Sequence, residues 1–438
     1  MAKPVEIKKI GLWTSTSLVI GNMIGAGVFL MPAALASFGG ISTIGWLFSA
    51  FGALLLARVF SKLSVLVANK SGGPYAFTKA AFGDFAGFLV AWGYWISVWT
   101  SNAAIAIAFV SALSVFFPIL DQNPIIAVLV GLSAIWGLTA LNSRGVRASG
   151  KMQLITTILK LSPLFIVILG GFFFFNPENF YPFNISGKSN FSAIAITATM
   201  TLYAFLGIES ATVPSGNVKD PEKTIPKATM IGTIITTVVY LLGTVVVMGM
   251  IPANILSESP TPFADAMEIM SGEWGRDLVG AGAVIAAFGA LNGWILVQGQ
   301  VAMATAKDDL FPRIFKRENK HGAPVLGMVI GSFLTSVIML LNFTDGLVEQ
   351  FKFIVLLSTL CCLIPYLFST AAYVLLVLQE KLALKNTVSV VSLGGMAFLF
   401  SLWAIFGAGE PAVFYGFILL MSGIPFYVLM KTRKKDKD

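Results

Sequence analysis

The chain has 438 residues, of which 56% are hydrophobic and only 11% charged. A soluble domain carries about 25% charged residues and uses them to cover its surface, so this composition excludes a soluble enzyme. The net charge of +8 does not indicate a nucleic-acid binder, because the basic residues are scattered among short loops and form no face that could track a phosphate backbone.

The apolar residues fall in blocks of roughly 20, the length a helix needs to cross the hydrocarbon core. The blocks are continuously apolar and do not alternate, which predicts helices and not barrel strands. In chain order they cover 11–33, 41–66, 85–117, 124–142, 152–176 and 191–216, then 228–252, 278–305, 324–343, 351–379, 387–408 and 411–430. The expected fold is therefore an all-α membrane protein of twelve spans. The longest polar connections lie around Asn176–Asn190, Pro252–Asp277 and Lys307–Gly322. Lys8 and Lys9 precede an apolar stretch that runs on as a full span, so no cleavable leader is expected.

Orientation follows from Lys and Arg, which favour the cytoplasmic loops. With a cytoplasmic N-terminus, all but four of the 29 basic residues lie inside; the four are Lys160, Lys188, Arg276 and Lys352. Both termini are expected in the cytoplasm, and the basic tail after Met430 reads as a topology anchor. The two cysteines, Cys361 and Cys362, are adjacent in an apolar block and offer no disulfide framework. With a single histidine, His321, in a basic loop, no metal site or cofactor is expected.

Two spans carry glycines where a helix tolerates them poorly, at about 1 kcal/mol each relative to Ala. Span one contains Gly21, Gly25 and Gly27, and span six contains Gly207. Gly21 and Gly25, like Gly289 and Gly293, also form the small-residue spacing of close helix packing. Spans one and six are the first members of two sets of five. Five being odd, the second set enters the membrane from the opposite side, and interrupted helices at matching places in inverted halves point to a transport site. The halves are expected over 1–185 and 186–380, with 381–438 supplying two further helices and the tail. Helix breaks at Gly25, Gly27 and Gly207 would free backbone N–H groups for a substrate carboxylate and carbonyls for an ammonium, with helix dipoles favouring the anion. An amino acid carries both groups on one carbon.

Ionisable groups inside a span are functional candidates by default. Glu209, beside the span-six break, reads as a titrating carboxylate, a partner for a cationic substrate, or a structural acceptor. Lys160, in span five, either snorkels to the interface or places its ammonium in an internal cation site. Tyr94, Trp95, Trp99, Tyr203, Trp294 and Tyr366 are candidate path-lining aromatics. Tyr203 and Trp294 stand out because they flank the glycines at 207 and 293, where an aromatic face can hold a cation.

The segments GNMIGAGVFLMPAALASFGG, SGGPYAFTKAAFG, TLYAFLGIESATVPSGNVKDPEKTIPKAT, MGMIPAN, NGWILVQGQ and DDLFPRIF resemble the amino acid–polyamine–organocation superfamily. The likeness is to its basic amino acid/polyamine antiporter group, in particular the bacterial arginine/agmatine antiporters, and it covers nearly the whole chain. It implies a five-plus-five inverted repeat plus two helices, commonly a homodimer in the bilayer of the bacterial inner membrane. It further implies that Met23, Ala26, Gly27, Tyr203 and Leu206 surround the α-carboxylate and α-amino group, and that Ser97, Val98 and Asn102 surround the cationic end. Ser358 would line the pocket and Trp294 would be a middle gate. Tyr94, Glu209 and Tyr366 would form a deeper gate, with Glu209 sensing pH. The chain departs from that group at Ala26, where it has Ser, at Tyr203, where it has Trp, and at Val98, where it has Cys. Lys160 replaces a small apolar residue and is similar to the lysine of proton-coupled permeases in the same superfamily. The expected function is exchange of a cationic amino acid of the arginine class for its decarboxylated amine. A proton-coupled symporter using Lys160 and a non-transporting amino-acid sensor are the alternatives. A membrane-embedded enzyme is not expected, since no span pairs a nucleophile with a base.

Overall fold

The computed structural model describes residues 11–25, 27–67, 72–144, 147–212, 218–341, 347–379 and 387–435. Among them, eleven helical segments are long and apolar enough to cross a bilayer, and Val325–Leu341, with 17 residues, is a shorter twelfth at the lower limit for a span. Spans one to six are Leu12–Ala36, Gly39–Leu66, Asp84–Leu113, Pro124–Asn142, Thr156–Phe174 and Asn190–Ala211. Span five belongs to a helix that begins at Arg147. Spans seven to twelve are Pro221–Met250, Glu273–Lys307, Val325–Leu341, Leu347–Gln379, Thr387–Gly407 and Glu410–Thr432.

Burial sorts the spans. The apolar stretches of spans one and three are 94% buried, against 28% for span eleven and 17% for span twelve. Span three packs along spans eight and ten, while span one lies against spans five and seven. Large apolar side chains such as Phe173, Leu341, Val388, Leu399 and Phe406 face outward. In water such a surface would aggregate; in hydrocarbon it is matched to its solvent.

The structure corrects three sequence expectations. Span three stops at Leu113 and not at 117, because the chain turns through Ser114 toward Pro118, which opens the short helix Ile119–Gln122. The stretches before spans three and eight are not plain loops. They contain helices Pro74–Phe82 and Pro262–Ser271, each begun by proline in the first turn, where its missing N–H is no loss. Each buries one apolar side, with Tyr75 and Phe77 in the first and Phe263 and Met267 in the second. Span six, expected to run to 216, leaves the α-helix at Tyr203.

Ion pairs gather where spans three, eight and twelve end together. Lys79 meets Asp308 at 2.9 Å, Lys307 meets Glu318 at 2.9 Å, and Lys431 meets Asp84 at 2.8 Å. Tyr75 also donates to Asp308. Burial, then the bonded Asp308 carboxylate, holds that phenol well above its ordinary pKa, so it remains a donor.

Span eleven is seated by glycine. A Cβ at Gly407 would lie 2.1 Å from the Ala195 carbonyl oxygen, whereas one at Gly395 would meet nothing within 4 Å. Gly407→Ala should therefore lose about 1–3 kcal/mol through backbone displacement, and Gly395→Ala should not be destabilised. Thermal unfolding of the two purified variants checks this; equal midpoints would mean that spans six and eleven are not in contact.

Candidate functional site

The first helix of span one ends at Met23, and a second begins at Gly27. A helix end leaves its last four carbonyls without intrahelical partners, a costly condition away from water. Here each carbonyl finds a donor. The Ile24 N–H reaches the Ile20 oxygen at 2.7 Å. The Lys160 ammonium donates to the Gly21 and Ile24 oxygens, both at 2.7 Å. The Trp294 indole N–H donates to the Asn22 oxygen at 3.1 Å. The Tyr240 hydroxyl and the Gly25 N–H both donate to the Met23 oxygen.

Span six breaks differently. From Ala204 to Leu206 the chain tightens into turns whose N–H groups bond three residues back, and a 3-10 segment follows at Ile208–Ala211. The kink is Gly207, at φ 110° and ψ −2°, a left-handed conformation that a Cβ disfavours. The N–H groups of 204–206 and 208 stay in the turn; among the described residues at the two breaks, the fresh α-helix start is at Gly27. The two breaks touch. A Cβ at Gly207 would come within 3.3 Å of Asn22, and the Asn22 amide donates to the Ser210 hydroxyl at 2.9 Å.

Between the breaks lies a small cavity that is open on one side. Met23 and Gly25 line it from span one, Tyr203 and Leu206 from span six, and Ser101 from span three, with Trp294 closing it from span eight. Of the residues expected from the sequence, Met23, Tyr203, Leu206 and Trp294 therefore share one wall system. Gly27 begins the helix next to it, and Ala26 lies outside the described residues. Ser97 and Ser358 sit beside the cavity and bond to each other. Each hydroxyl donates to the other's backbone carbonyl at 2.9 Å, and Ser101 meets the Ser358 hydroxyl at 2.5 Å. Val98 is buried, and Asn102 turns toward span eight, where its amide reaches Gln298 at 2.8 Å.

Glu209 is not a cavity carboxylate. It is fully buried, and its two oxygens accept from Tyr94 at 2.6 Å and Tyr366 at 2.7 Å. Tyr94 precedes Ser101 by two helical turns, about 10 Å, so this triad lies beyond the cavity toward the end of span three that starts at Asp84. Phe60 packs edge-on to Tyr366 at 5.1 Å and completes the seal. Lys160 does not snorkel. It is fully buried and its ammonium occupies the internal site at the span-one break. Trp95 and Trp99 are buried without lining the cavity.

Sequence reasoning missed Asn22, Ser101, Ser210, Tyr240 and Gln298. Ser101 falls one helical turn after Ser97, a spacing that puts both on one face. Asn22 stands inside the glycine cluster. The remaining three are polar residues in long spans whose partners are remote in sequence, and no local signal marks them.

The Asn22–Ser210 bond joins the two breaks, so Ser210→Ala should lower stability by about 1 kcal/mol, whereas Ser210→Thr, which keeps the hydroxyl, should lose less. Thermal unfolding in detergent reads the difference; equal loss in both variants would assign the effect to packing.

A family model described as amino acid permease matches residues 10–431. The chain is 33% identical over 430 residues to the cadaverine/lysine antiporter of Escherichia coli, covering 96% of this chain and 94% of that protein. It is 33% identical over 423 residues to the putrescine transporter PotE of Haemophilus influenzae, covering 96% of each. It is 32% identical over 443 residues to the arginine/ornithine antiporter of Pseudomonas aeruginosa, covering 97% of this chain and 91% of that one. These relatives are transporters and not enzymes. With its helical spans and paired breaks, the chain belongs to the amino acid permease family of the amino acid–polyamine–organocation superfamily.

Proposed function

We propose that the protein exchanges a cationic amino acid of the arginine class for its decarboxylated amine, of the agmatine or polyamine class, across the bacterial inner membrane. The observation that carries this reading is the cavity built against two interrupted spans. It has a helix start beside it at Gly27 for an α-carboxylate, and hydroxyl oxygens such as those of Ser101 and Tyr203 for an ammonium. Named relatives at 33% identity over 96% of the chain work on diamino acids and diamines, which supports a site that accepts a substrate with or without its carboxylate. In this reading Met23, Ala26, Gly27, Tyr203 and Leu206 surround the α-carbon groups, and Ser97, Val98, Asn102 and Ser358 surround the cationic end. Trp294 is the middle gate. The Tyr94–Glu209–Tyr366 triad is the deeper gate, with Glu209 as its proton-sensing member. Both termini are cytoplasmic, the halves 1–185 and 186–380 are inverted repeats, and the assembly is a homodimer.

The direct test is counterflow in proteoliposomes loaded with agmatine, cadaverine or putrescine and offered labelled arginine, lysine or ornithine. Uptake that requires an internal amine is expected, with arginine against agmatine fastest; uptake of a neutral amino acid alone would overturn the reading. Glu209→Gln keeps the shape of the carboxylate and cannot titrate. Its pH–rate profile should be flat where that of the wild type changes; superimposable profiles would make Glu209 a structural acceptor.

A specific observation favours a second reading. The Lys160 ammonium already occupies a cation position, on two carbonyls that its loss would strand. In a proton-coupled symporter, deprotonation there would release span one from span five. Uptake into empty liposomes under an acid-outside gradient separates the two readings. Exchange predicts no net uptake in wild type or in Lys160→Met, with counterflow persisting in both. Symport predicts net uptake in the wild type, lost at least tenfold in Lys160→Met, equivalent to about 1.4 kcal/mol.

A further inference from the structure

We propose that Gln298 is a positioning residue that fixes the Asn102 side chain so that its oxygen, and not its nitrogen, is left for the substrate, making the site selective for a solute end that donates N–H. The inference rests on the placement of the cationic end near Asn102 and goes beyond it, naming the residue that sets the polarity there.

Side-chain amides can turn over and exchange oxygen for nitrogen, so their polarity must be deduced from partners that cannot reverse. Gln298 is fully buried, and its nitrogen lies 2.8 Å from the Met328 carbonyl and 3.0 Å from the Ser332 hydroxyl. A backbone carbonyl only accepts, so the Gln298 nitrogen must face it. Ser332 is held in the same sense. Thr139 donates its only hydroxyl proton to the Ile135 carbonyl at 2.7 Å, so at their 2.7 Å contact Ser332 donates to Thr139. Ser332 is then an acceptor toward Gln298. Two backbone carbonyls, Met328 and Ile135, thus anchor both ends of the chain.

The Gln298 oxygen is consequently turned toward Asn102, which must offer its nitrogen at 2.8 Å. What remains is the Asn102 oxygen, which is buried and has no hydrogen-bond partner among the described residues. A buried acceptor left in this state is costly unless something donates to it. Asn102 stands directly behind the cavity wall, since Ser101 before it and Ile105 after it both line the space, as does Trp294, one turn before Gln298. An ammonium or guanidinium has only donors and fits this oxygen; a methyl terminus or a second acceptor does not. Gly331 lets the amide approach this closely: a Cβ there would lie 2.6 Å from the Gln298 amide carbon and 2.7 Å from its oxygen, so a larger residue would displace it.

The test is equilibrium binding to purified protein, which does not depend on the mode of transport. Labelled L-lysine or L-arginine, whichever the wild type holds more tightly, is competed with norleucine, whose side chain ends in methyl. The wild type should prefer the cationic amino acid. In Gln298→Leu the Asn102 amide is free to turn, and the preference should fall by about tenfold or more, the scale of one hydrogen bond to a charged group. Gly331→Ala keeps Gln298 but displaces its amide and should lower the preference in the same direction, which gives a second reading if Gln298→Leu does not fold. Asn102→Asp introduced into Gln298→Leu should restore the preference, because a carboxylate presents oxygen whichever way it turns. Asn102→Asp in a protein that keeps Gln298 is the control for the added charge, and the inference predicts a smaller rise in preference there than in Gln298→Leu. Undiminished preference in folded Gln298→Leu and Gly331→Ala, no rescue by Asn102→Asp, or a wild type with no preference for the cation would each overturn the inference. Absence of exchange with the preference intact would instead sink the exchange reading and leave this one standing.

Discussion

A helix that stops in the middle of a membrane must find donors for its last carbonyls, and in this protein that demand organises the centre of the fold. Water would supply the donors at a surface; hydrocarbon cannot. The carbonyls from Gly21 to Ile24 are instead taken by Lys160 from span five, Tyr240 from span seven and Trp294 from span eight. Three spans are thereby pinned around one break. The Asn22 side chain then draws in span six through Ser210, with Gly207 allowing the approach. Of the donors to the break, Trp294 alone also lines the cavity, which Asn22, Met23 and Gly25 border from span one.

Much of this architecture was legible in the sequence because the rules behind it are local. Block length alone separates spans from loops, and the glycines at 21, 25, 27 and 207 mark where a helix is least secure. Met23, Tyr203, Leu206 and Trp294, singled out from the sequence, line one cavity. Other features were not legible, because they depend on depth and distance. An apolar helix flanks Lys160 on both sides, so nothing local says whether the ammonium climbs to the interface or turns inward; the stranded carbonyls of span one decide it. Tyr240 and its partner Met23 are more than two hundred residues apart in the chain. The sequence marks the span-six break at Gly207, but the α-helix already ends at Tyr203: Ala204, Phe205 and Leu206 are apolar, so hydropathy does not register the loss of α-helix there.

The polar groups behind the cavity fall into two kinds. Asn102, Gln298, Ser332 and Thr139 form a directed chain that ends on backbone carbonyls, and Asn142 and Asn292 bond in the same wall at 2.8 Å. Such amide networks tie spans three, four, eight and nine together, and pulling them apart would leave buried amides without partners. They make that wall a single body.

Spans three and ten meet through something looser. Ser97 and Ser358 each donate a hydroxyl hydrogen bond to the other's backbone carbonyl across the contact, yet a helical serine can also turn its hydroxyl back to the carbonyl a turn behind it. Their neighbours Thr100 and Thr359 already do so, to Ile96 at 2.9 Å and Val355 at 2.7 Å. When spans three and ten draw apart, both serine donors therefore have somewhere to go within their own helices. The contact behaves as a zip, able to unfasten and refasten with no proton donor abandoned on either side.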